Sequence, residues 1–322
     1  MPTLSPDLLI QRIDHIPLYL HAYAFHLNMR CGQIVPEQLL DIAHQQRLAG
    51  LKIHVADGED KSLANAAPEA LSWFGQKARD YALDIHIETS ASAPDDIDQA
   101  VRIALATGAT AVRFYPRYEG YLQDVLTRVA NDIGYMKAQY GHTGLRFTIE
   151  QHEDLKGREL VQLVRDSQWR QLSILFDFAN MINADEEPLS ALADMAPYIT
   201  DVHIKDARLI REAAGNGHLA CKSGEGDLPV KEMLKRLLCL GEEKAQVVAF
   251  GLEEEVDYYA PPFRTTNEGN NPWIPWREMS ETPLPTEARE ERLRQEMTDA
   301  MAQIRFVRAV LADIRQEAAQ GY

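Results

Sequence analysis

Residues 145–150 of the chain read LRFTIE, and residues 172–177 read LSILFD. Each stretch is a short apolar run that ends in a carboxylate, which is typical of a buried strand with a polar side chain at its carboxyl end. Two further runs follow the same pattern, TDVHIKD at 200–206 and QVVAFGLEEE at 246–255. The sequence therefore predicts four buried strands, each of which presents a chemically useful side chain where it ends.

The four strand-end side chains are of the kinds that bind divalent cations: Glu150, Asp177, His203 and Glu253. Three carboxylates and one imidazole suit a hard cation such as Mg²⁺ or Mn²⁺, and they also accept Co²⁺ or Zn²⁺. Neighbouring members lie 26 to 50 residues apart in the chain, which is one or two βα units. Because the carboxyl ends of parallel barrel strands meet at one rim, one barrel could bring all four to a common point.

The whole chain alternates between apolar runs and amphipathic segments, which predicts a (β/α)8 TIM barrel with 1–322 as one domain. The predicted strands are 20–26, 50–55, 83–89, 110–115, 145–150, 172–177, 199–204 and 246–252. The predicted helices are 36–48, 66–81, 95–107, 119–140, 155–167, 188–196, 229–239 and a long C-terminal helix at 287–319. A doubly wound sheet is the alternative, which the lack of a GxGxxG loop after an early strand disfavours.

Polar side chains in the early predicted strands share one parity. His86 and Glu88 alternate with isoleucines, His54 follows Ile53, and Arg113 lies between Val112 and Phe114. Since side chains alternate between the two faces of a strand, the polar set is predicted to point into the barrel. The candidate substrate-binding residues are His54, Glu88, Arg113, His152 and Asn180.

Two connections are longer than an even barrel needs, at about 207–228 and 254–286. The second contains five aromatic residues, which disfavours simple disorder, and loops of this length usually have a function. We expect either a lid over the barrel mouth or an arm onto a neighbouring subunit. A homo-oligomer is therefore an open alternative.

Composition limits the classes of partner. The 322 residues include 49 acidic and 33 basic side chains, for a formal charge of −16, which opposes binding to nucleic acid or to an anionic membrane. No stretch approaches the roughly 20 apolar residues that a membrane helix needs. Small molecules are the expected partners.

The cysteines and the first residues indicate the compartment. Only three cysteines occur, with no CxxC spacing, and the first ten residues lack the basic and apolar segments of a secretory signal. We expect reduced thiols in a cytoplasmic protein.

The second half of the barrel, about 145–254, resembles the xylose isomerase-like TIM barrels of the sugar phosphate isomerase/epimerase superfamily. The matching segments are TIEQHED, FDFANM, DVHIKDA, the glycine pair of SGEGDLP and the glutamate after VVAFGL. In that family one divalent ion is held by a Glu, an Asp, a His and a second Glu on successive strands. The resemblance implies one metal ion bound by Glu150, Asp177, His203 and Glu253.

The chain departs from the family pattern at one position, and the identity of the last metal ligand is not decided by the sequence. Many sugar epimerases carry a second histidine three residues after the Asp, where this chain has Asn180. The run of three glutamates at 253–255 allows Glu254 in place of Glu253 as the last ligand. The family's HxKD form is present, with Lys205 as its lysine.

The resemblance implies chemistry on a small sugar or sugar acid through a metal-stabilised enediolate. Glu150 and Glu253 would move protons on opposite sides of the substrate, which gives an isomerase or epimerase. Lys205 adds a charge that could hold a substrate oxyanion, although an ion pair with Asp206 or Asp201 explains it equally well. The alternative is a metal-dependent lyase, either a decarboxylase of 3-oxo sugar acids or a dehydratase.

Two other classes share the barrel. A phosphodiesterase of the DNA-repair endonuclease type would need more clustered histidines and a basic rim, and neither is evident. A non-catalytic sugar-binding barrel is disfavoured because all four ligand positions hold competent residues.

Overall fold

Eight parallel strands form a closed barrel in the computed structural model, which describes residues 4–265, 267–277 and 282–320. Numbered along the chain, the strands of the described residues are β1 (Leu18–His21), β2 (Gly50–His54), β3 (Asp84–Glu88), β4 (Ala111–Phe114), β5 (Gly120–Tyr121), β6 (Arg146–Glu150), β7 (Leu172–Asp177), β8 (Ile199–Ile204), β9 (Asp206–Glu212), β10 (Gly215–Cys221), β11 (Ala249–Leu252), β12 (Tyr259–Ala260) and β13 (Trp273–Ile274). The barrel order is β1-β2-β3-β4-β6-β7-β8-β11, and β11 pairs with β1 to close it. The predicted (β/α)8 barrel is confirmed.

Helices cover the outside of the barrel. They are α1 (Pro6–Asp14), α2 (His26–Arg30), α3 (Pro36–Gln45), α4 (Pro68–Asp80), α5 (Pro94–Thr107), α6 (Leu122–Tyr140), α7 (Gly157–Ser167), α8 (Pro188–Met195), α9 (Val230–Leu238) and α10 (Arg289–Gln320). Short 3₁₀ turns lie at Ala22–Phe25, Glu59–Lys61, Leu63–Asn65, Asn180–Ile182 and Ala196–Tyr198. Five of the helices have proline at the first position, where its missing N–H costs nothing and its fixed φ suits the helix.

Polar side chains point into the barrel, as the strand parity predicted, and some of them form an ion-pair network there. The ammonium of Lys52 pairs with Asp201, and His86 Nδ1 lies 3.1 Å from the other oxygen of the same carboxylate. All three side chains are fully buried although they come from three different strands. Burial by itself raises the pKa of Asp201, but its interactions with Lys52 and His86 outweigh burial, so the pKa is depressed and Asp201 remains ionised.

The prediction for the first strand was wrong. The predicted strand 20–26 continues an apolar run, but the strand is Leu18–His21 and a 3₁₀ turn follows it. His21 Nδ1 accepts the backbone N–H of Tyr23 at 3.1 Å, and this bond turns the chain out of the strand direction. Helix α1 precedes the barrel and was not predicted.

The two long connections contain secondary structure that was not predicted. In the first, β9 and β10 form an antiparallel hairpin. In the second, β12 extends that hairpin and β13 pairs with β5, so the described part packs onto its own barrel. Residues 266 and 278–281 of the second connection lie outside the described residues.

The C-terminal helix α10 is hydrogen-bonded to helix α2 and to the carboxyl end of β8. The carboxylate of Glu296 accepts the backbone N–H groups of Leu27 and Asn28 at 2.8 and 2.9 Å, and Gln303 Nε2 donates to the carbonyl of Ile204 at 2.9 Å. In the described ranges, no helix is both long and apolar enough to cross a membrane. The assignment of 1–322 to one domain stays a prediction, since both chain ends lie outside those ranges.

Candidate metal centre and active site

The four strand-end residues meet at one rim of the barrel. Glu150 ends β6, Asp177 ends β7, His203 lies on β8 and Glu253 directly follows β11, and all four are buried. His203 Nδ1 lies 3.5 Å from Glu150 Oε1 and 3.5 Å from Glu253 Oε2. Ligand atoms of Glu150, Asp177 and His203 lie within 4.8 Å of one another. The register explains the convergence, because Asp177 is the direct neighbour of His203 across the two strands.

Each of these four side chains keeps one buried atom that makes no hydrogen bond within the described structure. The atoms are Glu150 Oε2, Asp177 Oδ2, His203 Nδ1 and Glu253 Oε2. Buried polar atoms are nearly always hydrogen-bonded. Here Arg113 Nε lies 2.9 Å from Glu150 Oε2, and Lys205 Nζ lies 3.1 Å from Asp177 Oδ2 and from Glu253 Oε2, so the three oxygens have ion-pair neighbours but no hydrogen bond. Three carboxylate oxygens and one imidazole nitrogen form a donor set that fits a divalent cation.

The orientation of Asp177 is fixed by the backbone. Its Oδ1 accepts the N–H groups of Ala179 and Asn180, both at 2.8 Å, and this leaves Oδ2 directed into the cluster. Burial raises the pKa of Asp177 to about 7 against the opposing attraction of Lys205. A carboxylate held in this way is suited to receive a cation.

The orientation of His203 is fixed by Glu88. His203 Nε2 lies 3.1 Å from Glu88 Oε1, so we assign the hydrogen on Nε2 as donated to that carboxylate. The nitrogen that faces Glu150 and Glu253 is therefore Nδ1. Burial lowers the pKa of His203, but the charges of Glu253, Glu88 and Glu150 outweigh it and raise the pKa to about 10. Without a metal ion, Nδ1 carries a proton where a cation would bind.

Glu88 receives hydrogen bonds from three elements of the barrel. Besides His203, His21 Nε2 lies 3.0 Å and Arg113 Nη2 lies 2.5 Å from Glu88 Oε2. Burial by itself raises the pKa of Glu88, but Arg113, His21 and His203 hold it well below its usual range. Glu88 also lines the cavity, so its predicted substrate-binding role stays a prediction, and its contact with His203 adds a supporting role beside a candidate metal ligand.

Lys205 lies among carboxylates of the centre. Its Nζ is 3.1 Å from Asp177 Oδ2, 3.1 Å from Glu253 Oε2 and 2.8 Å from Glu255 Oε2. The ion pairs with Asp206 or Asp201 that the sequence allowed are not formed. Burial lowers the pKa of Lys205, but these carboxylates outweigh it and raise the pKa well above its ordinary value. The lysine therefore carries a fixed positive charge.

Glu253 and Glu254 point in different directions. The carboxylate of Glu254 accepts the backbone N–H of Ser223 at 2.9 Å and its hydroxyl at 2.6 Å, away from His203. Glu253 also lies 3.4 Å from His21 Nε2. The geometry therefore favours Glu253 as the candidate ligand after the last barrel strand.

The other predicted substrate binders line the cavity above the centre: His54, Arg113, His152 and Asn180. Arg113 is already engaged, because its Nε lies 2.9 Å from Glu150 Oε2 and its Nη2 contacts Glu88. Asn180 Nδ2 lies 3.4 Å from Glu150 Oε1, beside the centre. His54 Nε2 lies 3.0 Å from the hydroxyl of Ser90.

Sequence reasoning missed several residues of the cavity, namely His21, Arg117, Glu255, Tyr258 and Arg277. His21 ends its strand as the other site residues end theirs, so a correct boundary for the first strand would have identified it. Arg277 and Tyr258 lie in the long second connection, whose path depends on contacts with distant residues. Tyr258 donates to Glu153 Oε1 at 3.1 Å across 105 residues of chain.

A closed parallel barrel with a polar cavity at the carboxyl ends of its strands is the architecture of (β/α)8 enzymes. The sequence profile of the family described as "Xylose isomerase-like TIM barrel" matches residues 81–248. This match covers more than half of the 322 residues. The chain belongs to the xylose isomerase-like TIM barrel family.

Individual proteins similar to this chain are consistent with that family. The Escherichia coli (strain K12) protein named "Uncharacterized protein YihM" is 61% identical over 311 residues, which cover 96% of this chain and 95% of the relative. A D-tagatose 3-epimerase-like protein has a similar structure, with a TM-score of 0.58, 14% identity, and coverage of 75% of this chain and 91% of that one. A probable 3-DHS dehydratase, AsbF, from Bacillus anthracis gives a TM-score of 0.56 and 17% identity, with coverage of 74% and 92%. At these identities, both structures show a common fold.

Proposed function

We propose that the protein is a divalent-metal-dependent enzyme that isomerises or epimerises a small sugar or sugar acid through an enediolate. The observation that carries the proposal is the set of four buried donor atoms without hydrogen bonds, one on each of Glu150, Asp177, His203 and Glu253. Mg²⁺ or Mn²⁺ suits this set best, and Co²⁺ or Zn²⁺ would also fit. When bound, the ion supplies Lewis acidity toward a substrate carbonyl and its adjacent hydroxyl.

The residues of the chain supply proton transfer and charge. Glu150 and Glu253 both face His203 Nδ1 from different strands, so they reach the substrate position from two sides. Burial by itself raises the pKa of Glu253, but Lys205, His203 and His21 depress it, so Glu253 is ionised, as a metal ligand must be. Lys205 places positive charge where a substrate oxygen becomes negative.

A lyase is the second candidate, and Asn180 favours it. Where many sugar epimerases have a histidine, Asn180 offers an amide that cannot carry a proton at neutral pH. In a decarboxylase, the enolate forms when a 3-oxo acid loses CO₂, and it then takes a proton on carbon. In a dehydratase, the enolate forms by proton abstraction and expels a β-hydroxyl group, which leaves as water after it takes a proton. The fold similarity to a probable dehydratase is compatible with this outcome.

The cellular location that we propose is the cytoplasm. The three cysteines are free in the structure, which accords with a reducing compartment.

Metal content and isotope exchange test the proposal. Protein purified without chelator should bind about one divalent ion per chain, and Glu150→Gln or His203→Ala should lose it. Glu254→Gln is the matched control, because it changes a neighbouring glutamate that bonds to Ser223. No metal in the wild type, and no effect of either site variant, would contradict the metalloenzyme proposal.

The reaction type is tested with metal-loaded protein, sugars, ketoses and 3-oxo sugar acids in ²H₂O. Deuterium incorporation without CO₂ supports an isomerase or epimerase, whereas CO₂ release or loss of water supports a lyase. Glu150→Gln should abolish either reaction, and Glu254→Gln should retain it.

A further inference from the structure

Arg117 and Arg277 are two of the four arginines that line the cavity containing Glu150 and Glu253. Arg117 follows β4, and Arg277 belongs to the connection after the last barrel strand. The two are linked, because Arg117 Nη2 donates a hydrogen bond to the backbone carbonyl of Arg277. The second connection thus brings one arginine to the cavity and orients another.

Arg117 has no carboxylate within ion-pair distance among residues 4–265, 267–277 and 282–320. Its guanidinium lies over the ring of Trp276, with 5.3 Å from Cζ to the ring centre. Arg113, on the same strand-to-helix segment, differs because Glu88 and Glu150 match its charge. Within the part of the chain that the structure describes, Arg117 therefore has no ion-pair partner at the cavity wall.

Arg277 keeps one edge of its guanidinium unused. Nη1 lies 2.9 Å from Glu153 Oε2 and also contacts His152. Nε and Nη2 are buried and make no hydrogen bond to any residue that the structure describes. These two N–H groups point the same way and form the fork that binds a carboxylate or phosphate through two parallel bonds.

Aromatic contacts hold the Arg277 guanidinium in place. Its Cζ lies 5.3 Å from the ring centre of Tyr115 and 6.0 Å from that of Phe263. A buried donor without an acceptor costs about 1–3 kcal/mol. A carboxylate or phosphate that reaches this edge of the guanidinium would supply the two missing acceptors.

We propose that Arg117 and Arg277 form an oxyanion subsite, so that the substrate is a sugar derivative with a carboxylate or phosphate group. Arg117 and Arg277 bring two guanidinium groups to one wall of the cavity, where Glu153 pairs with Arg277, in a chain of formal charge −16. The proposal rests on the proposed function for the rest of the substrate. Carboxylate and phosphate share the paired oxygens that the fork recognises.

Binding measurements on the full chain with matched neutral and anionic sugars test the subsite. D-fructose is paired with D-fructose 6-phosphate, and D-galactose with D-galacturonate, with inorganic phosphate as the smallest oxyanion. Calorimetry should give tighter binding for the anionic member of at least one pair, and the preferred pair identifies phosphate or carboxylate. Arg117→Met and Arg277→Met should each reduce that preference about ten-fold or more and leave the affinity for neutral sugars within about two-fold.

Two further variants separate anion binding from a structural role of Arg277. Glu153→Gln removes the opposing charge and keeps an acceptor, so it should strengthen oxyanion binding; a residue that only pins the connection would give no gain. Arg158→Met is the charge-matched control, because Arg158 is exposed and pairs with Asp194 at 2.7 Å. It should leave the preference unchanged.

The outcomes distinguish the subsite from the proposed reaction. Equal affinity for neutral and anionic sugars, or no oxyanion binding at millimolar concentration, overturns the subsite even where metal binding and deuterium exchange are found. An anion preference that is unchanged in both arginine variants also overturns it. An arginine-dependent preference in a protein that binds no metal upholds the subsite and overturns the proposed function.

Discussion

Replacement of Glu88 by glutamine tests how the candidate metal centre is supported. In the wild type, Glu88 Oε1 accepts from His203 Nε2, while Oε2 accepts from His21 and Arg113. Glutamine keeps one acceptor and replaces the other with an NH₂ donor. The new NH₂ group must then face either His203 or the pair of His21 and Arg113, all of which are themselves hydrogen-bond donors to residue 88.

Both arrangements of the new amide weaken the proposed metal site. If the NH₂ faces His203, Nε2 must accept and the hydrogen moves to Nδ1, which can then no longer bind a cation. If the NH₂ faces His21 and Arg113, the repulsion displaces the glutamine side chain, and His203 loses its fixed orientation. Loss of such an outer partner costs about 10- to 100-fold in metal affinity, which is about 1.4–2.8 kcal/mol.

The assay is a titration of metal-free Glu88→Gln with Mn²⁺ against a chromophoric chelator, with ¹⁵N chemical shifts of the histidine rings as a second measurement. The shifts report the tautomer of His203 directly, which a general loss of stability would not change. Glu254→Gln is the control, since its carboxylate bonds to Ser223 and not to the histidine. Wild-type Mn²⁺ affinity in Glu88→Gln, or an equal loss in the control, would refute the role of Glu88.

Three further changes have expected outcomes. Metal binding near pH 7.5 should release a proton, because the pKa of His203 is raised to about 10; calorimetry in buffers of different ionisation enthalpy measures it, and identical enthalpies would argue against His203 as a ligand. Burial lowers the pKa of His26 to about 4 in the folded protein, so the free energy of unfolding falls as the pH falls from about 6.5 to 4. His26→Phe should remove at most about 3 kcal/mol of that loss, and urea unfolding at both pH values measures it. Gly251→Ala would place a Cβ 2.7 Å from Lys52 Cδ and 3.1 Å from His203 Cδ2. It should therefore lower the free energy of unfolding by about 1–3 kcal/mol and weaken Mn²⁺ binding. An unchanged free energy of unfolding together with unchanged Mn²⁺ affinity would exclude the clash.

The barrel and its rim could be predicted because their signals are local. In β6 and β7, a buried apolar run ends in a carboxylate, and parallel pairing brings such ends together wherever the strands lie in the chain. Helix boundaries were equally local, since proline begins α3 and Gly108, with φ of 77°, ends α5. These features need no knowledge of the tertiary structure.

The supporting and cavity residues could not be predicted because they depend on long-range contacts. Arg277 meets Glu153 across 124 residues of chain, and no pattern in the connection indicates that pairing. The parity of β3 predicted that Glu88 points inward, but parity does not distinguish a residue that touches substrate from one that orients His203. The first strand was misplaced because His21 ends it through a bond between its side chain and the backbone.

The charges of the centre support the proposal that a cation binds there. Five carboxylates, of Glu88, Glu150, Asp177, Glu253 and Glu255, lie around two permanently charged side chains, of Arg113 and Lys205. Protons supply part of the missing positive charge: the pKa of His203 is raised to about 10, and burial raises those of Asp177 to about 7 and Glu255 to about 8. Glu150 Oε2 and Glu253 Oε2 nevertheless make no hydrogen bond, although Arg113 and Lys205 lie within ion-pair distance of them. A divalent ion in contact with all four donors would neutralise the same charge at a single point, and this charge balance is a further reason to propose a metal ion at the centre.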